Sequence, residues 1–147
     1  MNAERDAGVW LVGVDGSPVA HNALIWAAGA AVTQGVSVRA VGAWQYPYRG
    51  VLPITGSAIP AIDASMGAAI ADELAEAARD VADATGADIS VTASIGPAAQ
   101  VLLDELEHAD LAVVGNRGRG GFARLALGSV SLQLAAHAHR PVVVVPA

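Results

Sequence analysis

LAVVGNRGRGGFARLALGSVS, residues 111–131, decides how this chain is read. Four apolar residues, Leu111, Ala112, Val113 and Val114, stop at Gly115. A loop with Gly115, Gly118, Gly120 and Gly121 follows, carrying Arg117, Arg119 and Arg124. Gly128, Ser129 and Ser131 close it, just before a helical pattern resumes. The order is strand, glycine-rich loop, helix start. Such a loop suits a phosphate: glycines let the backbone approach closely, N–H groups point outward, and a helix N-terminus favours negative charge.

The surrounding charge fits a small anion better than a polyanion. The 147 residues carry a net charge of -6, which argues against a general nucleic-acid binder. Asp110 is the last carboxylate side chain. By the same count, residues 111–147 hold about +4 and residues 1–110 about -10. The chain has no Lys, which removes a P-loop lysine and Schiff-base chemistry. It has no Cys, which removes disulfides, thiolate zinc sites and thiol catalysis. Its length fits one domain, 1–147, with a real core, and its 54% hydrophobic content is mostly Ala and Val. That composition suits helices packed closely on a sheet. No apolar run reaches the roughly 18 residues of a membrane span. The opening MNAERDAG lacks the pattern of a signal peptide, so a cytoplasmic protein is expected.

The elements alternate along the chain. Residues 9–14, VWLVGV, read as strand one, and Ser17-Pro18 opens a helix with Ala20, Leu24, Ala27, Ala28 and Ala31 at helical spacing. Gly35 can cap its end. Residues 36–44 read as strand two. Residues 45–62 hold three Pro and two Gly without a period and read as a long loop, placed where a lid could act. Asp63 is expected to cap helix two, with Ile70, Leu74, Ala77 and Val81 inward. Residues 88–95 alternate and suggest a half-exposed edge strand. Gly96-Pro97 opens helix three, with Val101, Leu102, Leu103 and Leu106 inward. Strand four is residues 111–114, helix four about 129–138, and strand five 142–145. Trp10, Trp26 and Trp44 read as core or packing residues.

Regular β-α alternation implies an α/β fold: a five-stranded parallel sheet with helices on both faces. Ligands bind such sheets beyond the strand carboxyl ends, where the winding reverses. If the strand order is 3-2-1-4-5, the reversal lies between strands one and four. Asp15 then faces the Gly115 loop.

Taken together, VGVDGSPVAHNALIWAA, VGAWQYP, GNRGRGGFARLALGS and RPVVVVP resemble the universal stress protein family over nearly the whole chain. The most specific part is Gly, two residues, Gly, nine residues, Gly-Ser, met by Gly115, Gly118, Gly128 and Ser129. In that family this spacing marks members that bind ATP. The resemblance implies a Rossmann-like fold of order 3-2-1-4-5, similar to the adenine nucleotide alpha hydrolases. It implies ATP, with or without Mg²⁺, in the strand one/four cleft, and a homodimer paired through strand 142–145. By position, Asp15 would contact the adenine or ribose end, and Val14 and Ala43 would line the adenine pocket. Val114 and Gly115 would flank the nucleoside. Gly118, Gly128, Ser129, Val130 and Ser131 would surround the phosphates. Two residues depart from the family pattern: Gly42 where many members have His, and Asn116 where Ser or Thr is common.

Each residue also has a plainer role. The loop can be a simple connection and Asp15 a turn residue; a carboxylate beside a triphosphate repels it, so a ribose hydroxyl or adenine amino group suits Asp15 better. Ser129 and Ser131 can cap helix four, contact phosphate, or do both. Arg117 and Arg119 lie among the glycines and lead Arg124 as phosphate contacts. Residues 118–123 also fit a G-x-G-x-x-A dinucleotide pattern, but after the fourth strand and with no acidic residue downstream. His21, His108, His137 and His139 form no ligand set, and no catalytic or metal-ligating residue is assigned. The leading expectation is a nucleotide-dependent regulatory protein of the stress response acting on a protein partner. A slow Mg-dependent ATPase and a dimeric scaffold with a vacant site are the alternatives.

Overall fold

The structure, a computed structural model, describes residues 8–45, 59–118 and 126–147, with side chains in the second helix from residue 65 onward. Its elements run β1 (Val9–Gly13), α1 (Pro18–Gln34), β2 (Ser37–Trp44), α2 (Ile59–Thr85), β3 (Ile89–Ile95), α3 (Ala98–Leu106), β4 (Leu111–Gly115), α4 (Ser129–His137) and β5 (Val142–Val145). The five strands form one sheet in the order β3-β2-β1-β4-β5, and every pairing is parallel. The expected α/β class and strand order are both found.

Alternating strand residues feed two cores. Val12, Val38, Ala40 and Val113 pack with α1 and α2 on one face. Leu11, Val41, Ala112 and Val114 pack with α3 and α4 on the other. The central strands β1 and β4 are therefore apolar on both sides, as their unbroken runs require. α1 buries mostly alanines (Ala20, Ala23, Ala27, Ala28 and Ala31) around Leu24. Ser17 caps it by accepting the Ala20 N–H at 3.2 Å, and Gly35 ends it at φ 68°.

Three sequence readings need correction. α2 begins at Ile59, so Asp63 falls inside it and does not cap it. Pro60 had counted as a loop signal, but proline is tolerated in a first helical turn. Residues 46–58 of the expected loop lie outside the described residues. On the inner stripe of α2, Ala78 is buried at 4% exposure and Ala77 only half-buried. Both stand at helical spacing from Leu74, and only packing chooses between them. Trp44 is buried and Trp10 packs against the α1–α2 core, but Trp26 is 46% exposed on α1.

Gly42 has a packing role. A Cβ there would collide with Leu74 Cδ1 and lie 3.3 Å from Ile70 Cγ2, so the missing side chain lets α2 close onto β2. Gly42→Ala is expected to cost about 1–3 kcal/mol by overpacking. A lowered urea midpoint with unchanged m-value checks this; an unchanged midpoint contradicts it.

Candidate functional site

β1 and β4 are neighbours, and the chain leaves the sheet at their carboxyl ends on opposite faces. After Gly13, the Val14 N–H donates to Val41 O at 2.9 Å. Asp15 then turns the chain: its Oδ1 accepts the Ser17 N–H at 2.9 Å, and Gly16 takes φ 81°. After β4, the Asn116 N–H donates to Val145 O at 2.9 Å, tying the loop to β5. Gly115 must be small, because a Cβ there would lie 2.6 Å from Val19 Cγ1 and 3.2 Å from Arg117 O.

These ends meet. A Cβ on Gly118 would stand 2.6 Å from Asp15 Oδ2, so the loop crosses directly over the carboxylate. The Gly128 N–H donates to Asn116 O at 2.6 Å and brings the start of α4 back to the same place. Around them lies a cavity of about 580 Å³. Every described site residue expected from the sequence lines it: Val14, Asp15, Ala43, Val114, Gly115, Arg117, Gly118, Gly128, Ser129, Val130 and Ser131. Arg119, Arg124, Gly120 and Gly121 lie outside the described residues.

The walls divide by chemistry. Val41, Ala43, Ala98, Leu102 and Val114 make an apolar end on the α3–α4 side of the sheet. Gly118, Arg117 and the first turn of α4 make a polar end. That turn has no acidic residue, and the N–H groups of Ser129, Val130 and Ser131 have no carbonyl partner within the helix. The helix dipole adds partial positive charge there. Asp15 is the one carboxylate among the described lining residues.

Sequence reading missed Gly13, Ala20, Val41, Ala98, Leu102, Leu127 and Leu132 as lining residues. Gly13 carried a signal, since a glycine inside a strand often marks a close approach. A Cβ there would sit 2.9 Å from Leu102 Cδ1. Leu102 looked like core alone, and it is core as well, at 4% exposure. A smaller depression of about 230 Å³ gathers exposed Asp104, Glu107, His137, His139 and Arg140. Among the described residues, no three His, Asp or Glu side chains are grouped to hold a metal ion.

A doubly wound parallel sheet with a cavity at its switch point defines a general class of α/β ligand-binding folds. The chain belongs to the universal stress protein family, whose family model matches residues 10–146. A universal stress protein of Mycobacterium tuberculosis is 32% identical over 161 residues, covering 99% of this chain and 50% of its own length. One from Mycolicibacterium smegmatis is 35% identical over 137 residues, covering 92% of this chain and 44% of its own. The chain thus spans about half the length of these relatives. Among solved structures, a universal stress protein of Lactobacillus plantarum matches with TM-score 0.80 at 22% identity, over 94% of this chain and 97% of its own. Another, solved in complex with cAMP, matches with TM-score 0.70 at 28% identity, over 95% and 97%. No helix among the described residues is long and apolar enough to cross a membrane.

Proposed function

We propose that the chain is an ATP-binding universal stress protein domain that uses nucleotide occupancy as a regulatory signal in the cytoplasm. The observation that carries this is the contact of Gly118 with Asp15 inside a cavity whose opposite rim is the start of α4. One end of that cavity suits a nucleobase and the other suits phosphate. Asp15, beside Gly118, suits a ribose hydroxyl or an adenine amino group. The 28% identical structure in complex with cAMP supports an adenine nucleotide in this fold. ATP also fits the full Gly115, Gly118, Gly128, Ser129 spacing and the positive end of α4.

Binding would change the surface carried by the loop and so be read by a protein partner. A homodimer through β5 completes the proposal. Val142–Val145 pairs with β4 on one side, and a parallel edge of four valines without charge is a ready pairing surface. ATP brings Mg²⁺ with it, which would supply charge neutralisation at the phosphates. Asp15 would have to serve any such ion alone among the described lining residues, so we expect hydrolysis to be slow.

Release of small molecules from the purified protein by denaturation, followed by their identification, tests the reading. An adenine nucleotide is the expected product, with turnover in Mg²⁺ far below one per second. Turnover near or above one per second would make the protein an enzyme instead.

A further inference from the structure

Asn116 and Ser131 share a position that the sequence did not reveal. Ser131 is 2% exposed, and its Oγ lies 3.1 Å from Asn116 O and 3.1 Å from Gly128 O. Asn116 O also accepts the Gly128 N–H at 2.6 Å. The Asn116 amide Nδ2 donates to Ala126 O at 3.4 Å. Its Oδ1 is buried and has no hydrogen-bond partner among the described residues. Two strands of loop backbone are therefore held together at one point, between residues 116–118 and 126–131.

A hydroxyl has one proton to give. Ser131 faces two carbonyls, so its proton goes to them and its lone pairs are what remain. Lone pairs repel a phosphate oxygen. The expectation that Ser131 contacts phosphate through its side chain therefore conflicts with its hydrogen bonds. Asn116 does not line the cavity, yet its carbonyl is the acceptor on which the fastening turns.

We propose that Ser131 and Asn116 are positioning residues that fasten the neck of the 116–128 loop and so set the spacing between Gly118 and the N–H groups of α4 for a polyphosphate. The proposal rests on the nucleotide-binding reading and adds to it which residues govern phosphate affinity from outside the ligand. Opening the neck moves the phosphate end of the cavity and leaves the apolar end, built on β2, α3 and β4, in place. The effect should therefore fall on ATP more than on adenosine.

Titration calorimetry of the full chain with ATP and with adenosine tests this, using Ser131→Ala and Ser131→Thr. Ser131→Ala should lower the ratio of ATP to adenosine affinity by about tenfold, the size of one lost hydrogen bond. Ser131→Thr keeps the hydroxyl and should restore most of the ratio. In the ligand-free protein, Ser131→Ala should also speed hydrogen exchange of the Gly128 amide; lost ATP affinity with unchanged exchange would make Ser131 a direct phosphate contact and overturn the proposal. Equal losses for both ligands would assign the pair to general stability and overturn it too. A wild-type chain that binds neither ligand would instead remove the nucleotide reading on which the proposal stands.

Discussion

Gly128→Val is expected to lower ATP affinity by about a hundredfold, roughly 2.7 kcal/mol, in a protein that still folds. Gly128 has φ -77° and ψ 175°, extended backbone that valine adopts without strain. The loss comes from space. A Cβ there would lie 3.3 Å from Arg117 Cα, 3.5 Å from Asn116 O and 3.6 Å from Gly118 N. All three are backbone atoms and cannot swing aside, and valine adds two methyl groups beyond Cβ. The neck must widen, and the first N–H groups of α4 become covered. Gly118 differs. A Cβ there meets the carboxylate of Asp15, the end of a side chain that can rotate. Gly118→Val should weaken ATP binding by displacing Asp15, and less severely. Calorimetry with circular dichroism as the fold control checks both; wild-type ATP affinity in folded Gly128→Val would refute the site.

Leu134→Ala should produce the largest loss of stability, about 2–5 kcal/mol. Leu134 is 0% exposed and is a member of the α3–α4 core with Leu102, Leu106 and Val114. α4 has only nine residues, Ser129–His137, and buries just Ser131 and Leu134. A helix this short has little stability of its own and depends on that packing. Removing Leu134 therefore loosens the element whose first turn forms the polar rim of the cavity. Urea denaturation should show the loss, and ATP added at saturating concentration should recover part of it by mass action. A loss below about 1 kcal/mol would mean that α4 is held by something other than this side chain.

The fold was legible in the sequence because its signals were strong and local. The run at 111–114 stops at a glycine, Ser17-Pro18 marks a helix start, and Val142–Val145 stands alone as a strand. β3 is an edge, as its alternation indicates, though Thr92 and Ser94 are half-buried and only Ser90 and Ile95 are exposed. What failed depended on information that local patterns do not carry. Pro60 has the same letter in a loop and in a first helical turn. Ala77 and Ala78 differ only in which way the helix is rotated against the sheet. Trp26 is apolar and yet 46% exposed beside Ile25 on α1, and its residue type alone does not say which way it turns.

The site was legible in the same uneven way. Glycines and serines at fixed spacing gave the loop, and the strand order gave Asp15 its place opposite. Leu102 and Ala98 enter the cavity through α3, and an apolar helix residue reads as core whether or not it also lines a cavity. Gly42 looked like a lost histidine and is the point where α2 touches the sheet. Asn116 looked like a weakened hydroxyl position, and its main-chain oxygen joins the two sides of the loop. A main-chain acceptor leaves no trace in the side-chain sequence.

Titration of nucleotide-stripped protein with ATP tests the central claim most directly. The account predicts saturable binding, one ATP per chain, competed by other adenine nucleotides and weakened by Gly128→Val. No heat of binding up to millimolar ATP, from a chain shown to be folded, would contradict it.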